Sequence, residues 1–141
     1  MAIPRVMRVA VVVAIIVAAL AYLRDPPWLL SYTHGFIDDR SRAEPVRWTT
    51  GHAAFFVPAD LRAVRLRMRD VKLDPADWPI SVVITIDDRT VDHVRFDDEG
   101  WREIVLRLPP RGSRNARRID IKLDRTRGTR GLQFGAVEHL Q

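Results

Sequence analysis

The chain has 141 residues, with 23 Lys and Arg against 18 Asp and Glu, and no cysteine. That length fits one ordinary domain, and the missing cysteines exclude disulfide scaffolds, thiol nucleophiles, Cys-ligated zinc or iron–sulfur centres and an acylated lipoprotein anchor. Arg5, Arg8 and Arg24 flank the first apolar run, which leaves 20 basic against 18 acidic residues from position 25 onward; a body so nearly balanced carries no nucleic-acid footprint, and no nucleic-acid partner is expected.

Val9 to Leu23 is a run of 15 residues with no charge. As a helix it is about 22 Å long, short of a ~30 Å bilayer core, but Arg8 and Arg24 extend its reach by snorkelling. The predicted element is a membrane anchor over residues 1–24. Arg5 and Arg8 place its N-terminus in the cytoplasm and the rest of the chain on the periplasmic or extracytoplasmic side of the inner (cytoplasmic) membrane. The competing reading is a cleaved signal peptide, because Ala19-Leu20-Ala21 has the small-x-small pattern of a cleavage site. Both readings export the body.

Residues 25–45 read as a juxtamembrane linker. Asp25-Pro26-Pro27 ends the first helix and suits the start of another, with Asp25 as N-cap and Gly35 as a stop. Trp28, Tyr32 and Phe36 recur every four residues. That spacing fits a short helix at the membrane surface or a set of aromatics packed beneath the domain. Ile37–Pro45 reads as a polar linker.

Residues 46–141 read as short strands. Val46–Thr50 and Ala53–Val57 lie either side of Gly51. Ala63–Asp70 alternates cleanly, with Val64, Leu66 and Met68 on one face and Arg65, Arg67 and Arg69 on the other. Ile80–Asp87 is β-branched, Asp87-Asp88 turns into Thr90–Phe96, and Asp97–Gly100 turns again into Trp101–Leu108, where Trp101 is out of phase. Arg117–Asp124 alternates, a basic loop follows over Arg125–Gly131, and Leu132–Leu140 closes the chain. About eight strands punctuated by turns, with no convincing helix, predict an all-β antiparallel β-sandwich of jelly-roll type.

Several runs carry a resemblance: Arg47-Trp48-Thr49-Thr50-Gly51-His52-Ala53, Phe55-Phe56-Val57-Pro58-Ala59-Asp60, Ile86-Asp87-Asp88-Arg89, Arg118-Ile119-Asp120, Arg125-Thr126 and Gly131-Leu132-Gln133, together with Asp25-Pro26-Pro27-Trp28. In these the chain resembles an uncharacterised family of bacterial envelope proteins with one N-terminal membrane helix and a small jelly-roll-like domain. It is similar, too, to β modules appended to polytopic membrane glycosyltransferases. The resemblance implies a fold and a location and supplies no active site.

The chemistry-bearing residues are sparse. His34, His52, His93 and His139 have no metal-ligand spacing and no accompanying nucleophile motif, so no catalytic residue, metal or cofactor is assigned and no enzymatic activity is expected. Asp87-Asp88 and Asp97-Asp98-Glu99 would hold calcium if their turns met in space; otherwise they are ordinary turn formers. Arg65, Arg67 and Arg69 form one strand face suited to an anionic ligand, or to cross-strand pairing with acids. Residues 111–130 hold eight basic groups against Asp120 and Asp124. Trp78, in the turn Asp74–Pro79, is the best stacking platform for a sugar ring, whereas Trp48 and Trp101 read as core. The expected function is a membrane-anchored module that binds envelope glycan or polysaccharide intermediates through Trp78, Arg65, Arg67 and Arg69. The alternative is an accessory module docking on a polytopic membrane enzyme such as a glycosyltransferase.

Overall fold

The computed structural model describes residues 5–41, 43, 46–71, 76 and 79–141. One N-terminal apolar helix, α1 (Arg5–Arg24), precedes an all-β body. α1 is long and apolar enough to cross a membrane, and none of that apolar span is buried against the rest of the chain. A short 3₁₀ turn, Pro27–Ser31, follows. Its Trp28 and Leu30, with Tyr32 just beyond, stay exposed. Asp25 does not cap this turn; its carboxylate accepts the backbone N–H of Asn115 at 3.1 Å, fastening the end of α1 to the body.

The strands are β1 (Thr33–Asp38), β2 (Arg47–Pro58), β3 (Ala63–Arg69), β4 (Ile80–Ile86), β5 (Arg89–Phe96), β6 (Arg102–Arg107), β7 (Ala116–Leu123), β8 (Gln133–Phe134) and β9 (Glu138–Leu140). They join antiparallel in the order β5-β4-β7-β2-β8-β3-β6, with β1 beside β2 and β9 beside β3. The curling of this one sheet is what makes it a sandwich. The inward residues of β3 and β6 (Val64, Leu66, Met68, Ile104, Leu106) share one core with those of β4, β5 and β7 (Ile80, Val82, Ile84, Phe96, Ile119, Ile121). Those groups lie on opposite arms of the strand order, so the sheet must fold over itself to bring them together. Leu66, Val64, Met68, Ile84, Ile119 and Ile121 are fully buried.

β2 runs as one strand where two were expected on either side of Gly51. Its N-terminal part pairs with β8 (Arg47 with Phe134) and its C-terminal part with β7 (His52 with Lys122 through Pro58 with Ala116), so it passes from one arm to the other. Thr49 locks the crossing: its N–H donates to Leu132 O at 2.8 Å, its carbonyl accepts Gly131 N–H at 2.6 Å, and its Oγ1 accepts Leu132 N–H at 2.9 Å.

Two expectations change. Thr33–Asp38, inside the stretch read as a helix and linker, is strand β1. Its pairing with β2 supplies the hydrogen bonds that a free linker would have given to water. Gly35 does not stop a helix; it sits at φ +72° where the β1–β2 register shifts between His34 and Phe36. The terminal segment is two short strands rather than one, interrupted at Gly135–Val137.

The turn at Asp87-Asp88 is as expected. Ile86 pairs with Arg89 and both aspartates have positive φ, 47° and 65°. That is the two-residue hairpin turn whose twist matches its strands. This turn, the β2–β3 turn at 59–62 and the β6–β7 loop at 108–115 all lie at one end of the sandwich. They are tied by Ala59 N–H to Asn115 O, Leu108 N–H to Arg62 O and Asp87 N–H to Arg118 O, each 2.9 Å. The end of α1 joins the body here, through Asn115.

Candidate functional site

Arg65, Arg67 and Arg69 do share one face of β3, but the structure occupies them. Arg65 lies 2.7 Å from Glu138 on β9 and 3.8 Å from Glu103 on β6. Arg67 and Arg69 each hold a guanidinium 4.6 Å from the Trp101 ring centre. Arg69 Nε also donates to Gln133 Oε1 at 2.7 Å. The face is a ladder of satisfied cross-strand contacts. An anion arriving there would have to break them.

Trp78, the expected stacking platform, lies outside the described residues. Trp101 is not core: it precedes β6 and lies half-buried against Arg67 and Arg69. Its phase is wrong for the core because it covers guanidinium groups instead. Trp48 is also half-buried, donating from Nε1 to Asp39 at 3.1 Å, with Arg130 5.4 Å over its ring.

The two acidic turns do not meet. They lie at opposite ends of β5, whose eight residues separate them by about 26 Å. Asp87 is taken by Arg117 at 2.8 Å and the Arg118 N–H at 3.0 Å, and Asp97 and Asp98 by Arg102 at 2.6 and 3.2 Å. Among the described residues no three His, Asp or Glu gather in a way that would hold a metal ion.

A site that sequence reading missed lies between the free edges of β1 and β9. A groove of about 320 Å³ opens there onto the core, floored by Phe36, Phe55, Phe56 and Phe134 and bordered by Thr33, Arg47 and His139. The rings of Phe36, Phe55 and Phe134 form a mutual cluster with centroids 5.1 to 6.2 Å apart. Arg47, fixed by Asp38 at 2.9 Å, lies 5.8 Å from the Phe36 ring centre. An apolar floor with a few converging polar groups is the usual make-up of a small-ligand pocket, and the volume is at the lower end of that class. No sequence signal marked it, because its walls come from β1, β2 and the β8–β9 connection, three segments far apart in the chain.

A second polar cluster lies on the outer face of β2 and β7. Asp120, 1% exposed, accepts from Arg118 at 2.6 Å and contacts His52 Nε2 at 2.7 Å through the same oxygen, Oδ1. His34 lies edge-on to His52, ring centres 6.0 Å apart. Among the described residues the nearest hydroxyl contact is Thr50 Oγ1, which donates to the His52 backbone carbonyl at 2.8 Å and not to its ring.

No family model matches the chain, and no curated protein matches it. Among solved structures it is similar to one described as a family GH115 4-O-methyl-α-glucuronidase with specificity for decorated arabinogalactans, at 12% sequence identity and a TM-score of 0.47. The match covers 69% of this chain and 14% of that one, so the chain spans about a seventh of that enzyme's length.

Proposed function

We propose that the protein is a membrane-anchored, non-enzymatic β-sandwich that binds an envelope glycan or polysaccharide intermediate in the groove between β1 and β9. The observation that carries this reading is the groove's lining. Phenylalanine rings on its floor offer surfaces for the C–H faces of a sugar ring, while Thr33, Arg47 and His139 at the border offer groups for its hydroxyls or a carboxylate. This groove does not include the β3 arginines. α1 supplies the anchor, with its N-terminus in the cytoplasm and the sandwich outside the inner membrane. In titrations of the detergent-solubilised full chain against envelope polysaccharide fragments, Arg47→Ala should weaken binding about tenfold, ~1.4 kcal/mol. Ala136→Trp, at an exposed position of the groove wall, should abolish binding by filling the space without touching the core. Fragments that bind Ala136→Trp as well as the unaltered chain would sink the proposal.

A second reading, an accessory module that docks on a polytopic membrane enzyme, is favoured by one feature of α1. Ala10, Ala14 and Ala18 recur at every fourth position along one face of the helix. Small residues at every fourth position let another membrane helix approach closely. Crosslinking from Ala14→Cys in native membranes to a polytopic protein supports this reading; crosslinks to lipid alone remove it.

A further inference from the structure

We propose that the end of the sandwich bearing the 59–62, 87–88 and 108–115 turns rests on an anionic bilayer surface, with Arg62, Arg89, Arg107 and Arg114 meeting lipid phosphates. The inference rests on the anchoring reading of α1 and extends it from the helix to the body. Asp25, the residue after α1, accepts the Asn115 N–H, and Arg24 donates to Ser113 Oγ. The β6–β7 loop is therefore held against the end of the helix. Exposed Trp28, Leu30 and Tyr32 lie in the same short connection, the depth at which Trp and Tyr favour a membrane interface.

The charge at this end matches that partner. Arg62, Arg89, Arg107 and Arg114 are all exposed, and none forms an ion pair among the described residues. The other two arginines here are engaged: Arg117 with Asp87 and the Pro110 carbonyl, and Arg111 with Asn115. Of the acids, Asp87 is paired with Arg117 and also accepts the Arg118 backbone N–H, Asp25 accepts the Asn115 N–H beside Arg24, and Asp60 and Asp88 are the others that oppose the four free arginines. Elsewhere on the sandwich Arg65, Arg102 and Arg127 have carboxylate partners and Arg67, Arg69 and Arg130 lie over tryptophan rings, with exposed Arg95 an exception. Four exposed guanidiniums with neither a carboxylate nor a ring partner among the described residues thus gather at the end that α1 would bring to the bilayer. Arg89 and Arg107, with Arg117, border a cleft of about 600 Å³ between the β4–β5 turn and the β6–β7 loop, room for a phosphate headgroup rather than a flat contact. Forked guanidinium donors suit phosphate oxygens.

The absence of cysteine makes the test clean, because one introduced thiol reports on one place. Gly112 accepts a side chain, whose Cβ would meet only the Arg117 guanidinium, at 3.7 Å and beyond. The full chain carrying Gly112→Cys, labelled with a fluorophore, is reconstituted into vesicles whose headgroups carry a nitroxide quencher. A second preparation carries the label at Ala14→Cys, with the quencher on the acyl chains. Quenching at Gly112 should be stronger in phosphatidylcholine vesicles containing phosphatidylglycerol than in phosphatidylcholine alone. It should fall back at ~1 M salt, where the screening length drops to ~3 Å. Each arginine near such a surface shifts the docked population about fivefold, so replacing all four exposed arginines by Gln should erase the difference. Arg125→Gln, at the other end, should not. Equal quenching in the two vesicle types, or quenching unchanged in the four-fold variant, overturns the proposal. Acyl quenching at Ala14 without headgroup quenching at Gly112 overturns the basic face and keeps the anchor. The opposite pair of results overturns the anchor and keeps the basic face.

Discussion

His52 Nε2 and Asp120 Oδ1 stand 2.7 Å apart across the β2–β7 pair, joining two residues 68 positions apart in the chain. Asp120 is 1% exposed, while the His52 and Arg118 side chains that reach it are each 41% exposed. The carboxylate is thus held under its partners, and its other oxygen, Oδ2, has no hydrogen-bond partner. Replacing it by Asn removes the charge and keeps the shape. Because the partners recover water, the expected loss is about 1–2 kcal/mol, the lower part of the range for charged hydrogen bonds. Urea unfolding of the full chain in mild detergent should show a lower midpoint at unchanged slope; an unmoved midpoint would mean the pair contributes nothing to folding.

Gly35 is the backbone position least open to change. A Cβ there would lie 1.9 Å from His52 O and 2.8 Å from the Ala53 Cα, in addition to the cost of φ +72° for a residue with a side chain. Gly35→Ala should detach β1 from β2 or destabilise the domain by more than ~2 kcal/mol. Faster amide exchange confined to residues 33–38 and their β2 partners distinguishes local detachment from global loss.

Trp101 and its two guanidiniums offer a test of the β3 face. Contacts of this kind are each about 0.5–1 kcal/mol at exposed sites. Trp101→Ala should therefore destabilise by about 1–2 kcal/mol while uncovering the guanidiniums of Arg67 and Arg69, the latter still bonded to Gln133. Binding of sulfated or uronic-acid polysaccharides should then rise, with strong salt dependence. No rise would mean that this face lacks anion affinity even when uncovered.

The β5–β6 turn should loosen in acid. The Gly100 N–H donates to Asp98 Oδ1 at 2.8 Å, and with Arg102 beside it this holds the Asp98 carboxyl below its ordinary value of 3.8. A carboxyl lowered in the folded state stabilises it above the unfolded value, and that contribution is lost as pH falls through the folded value. NMR titration of Asp98 should place its midpoint under 3.8, with the Gly100 amide shifting in step. Asp98→Asn should remove that response; a midpoint at or above the ordinary value contradicts it.

The sequence displayed most strands through periodicity. In Ala63–Arg69 each second residue is apolar, and a half-buried strand follows from that pattern alone. β1 was hidden because Trp28, Tyr32 and Phe36 happen to repeat every four residues, a spacing shared with helices. Its true evidence is pairing with β2, which periodicity does not carry. The same limit applies to sites. Alternation put Arg65 on the outer face, but its partner Glu138 lies 73 positions away, and nothing local names a partner at that distance. The Phe36–Phe55–Phe134 groove was invisible for the same reason, since Phe36 reads with the aromatics of the linker and its companions lie far along the chain. Trp101 was misread because an out-of-phase aromatic reads as a bulged core residue, when its companions are two arginines on a neighbouring strand.

The crossing of β2 has a consequence for how the protein is made. Its Thr49 is fixed by Leu132, 83 positions further on, and its two halves are completed by β7 and β8, close to the end of this sequence. Synthesis from the N-terminus therefore delivers β2 with β1, and β4 with β5, well before the β7 strand that joins the two pairs. Ile80–Ile86 has its hairpin partner β5 at once but waits for β7 on its other edge, and pairing of such long range is slow. The two arms of the sheet thus cannot close over one core until β7 and β8 are made.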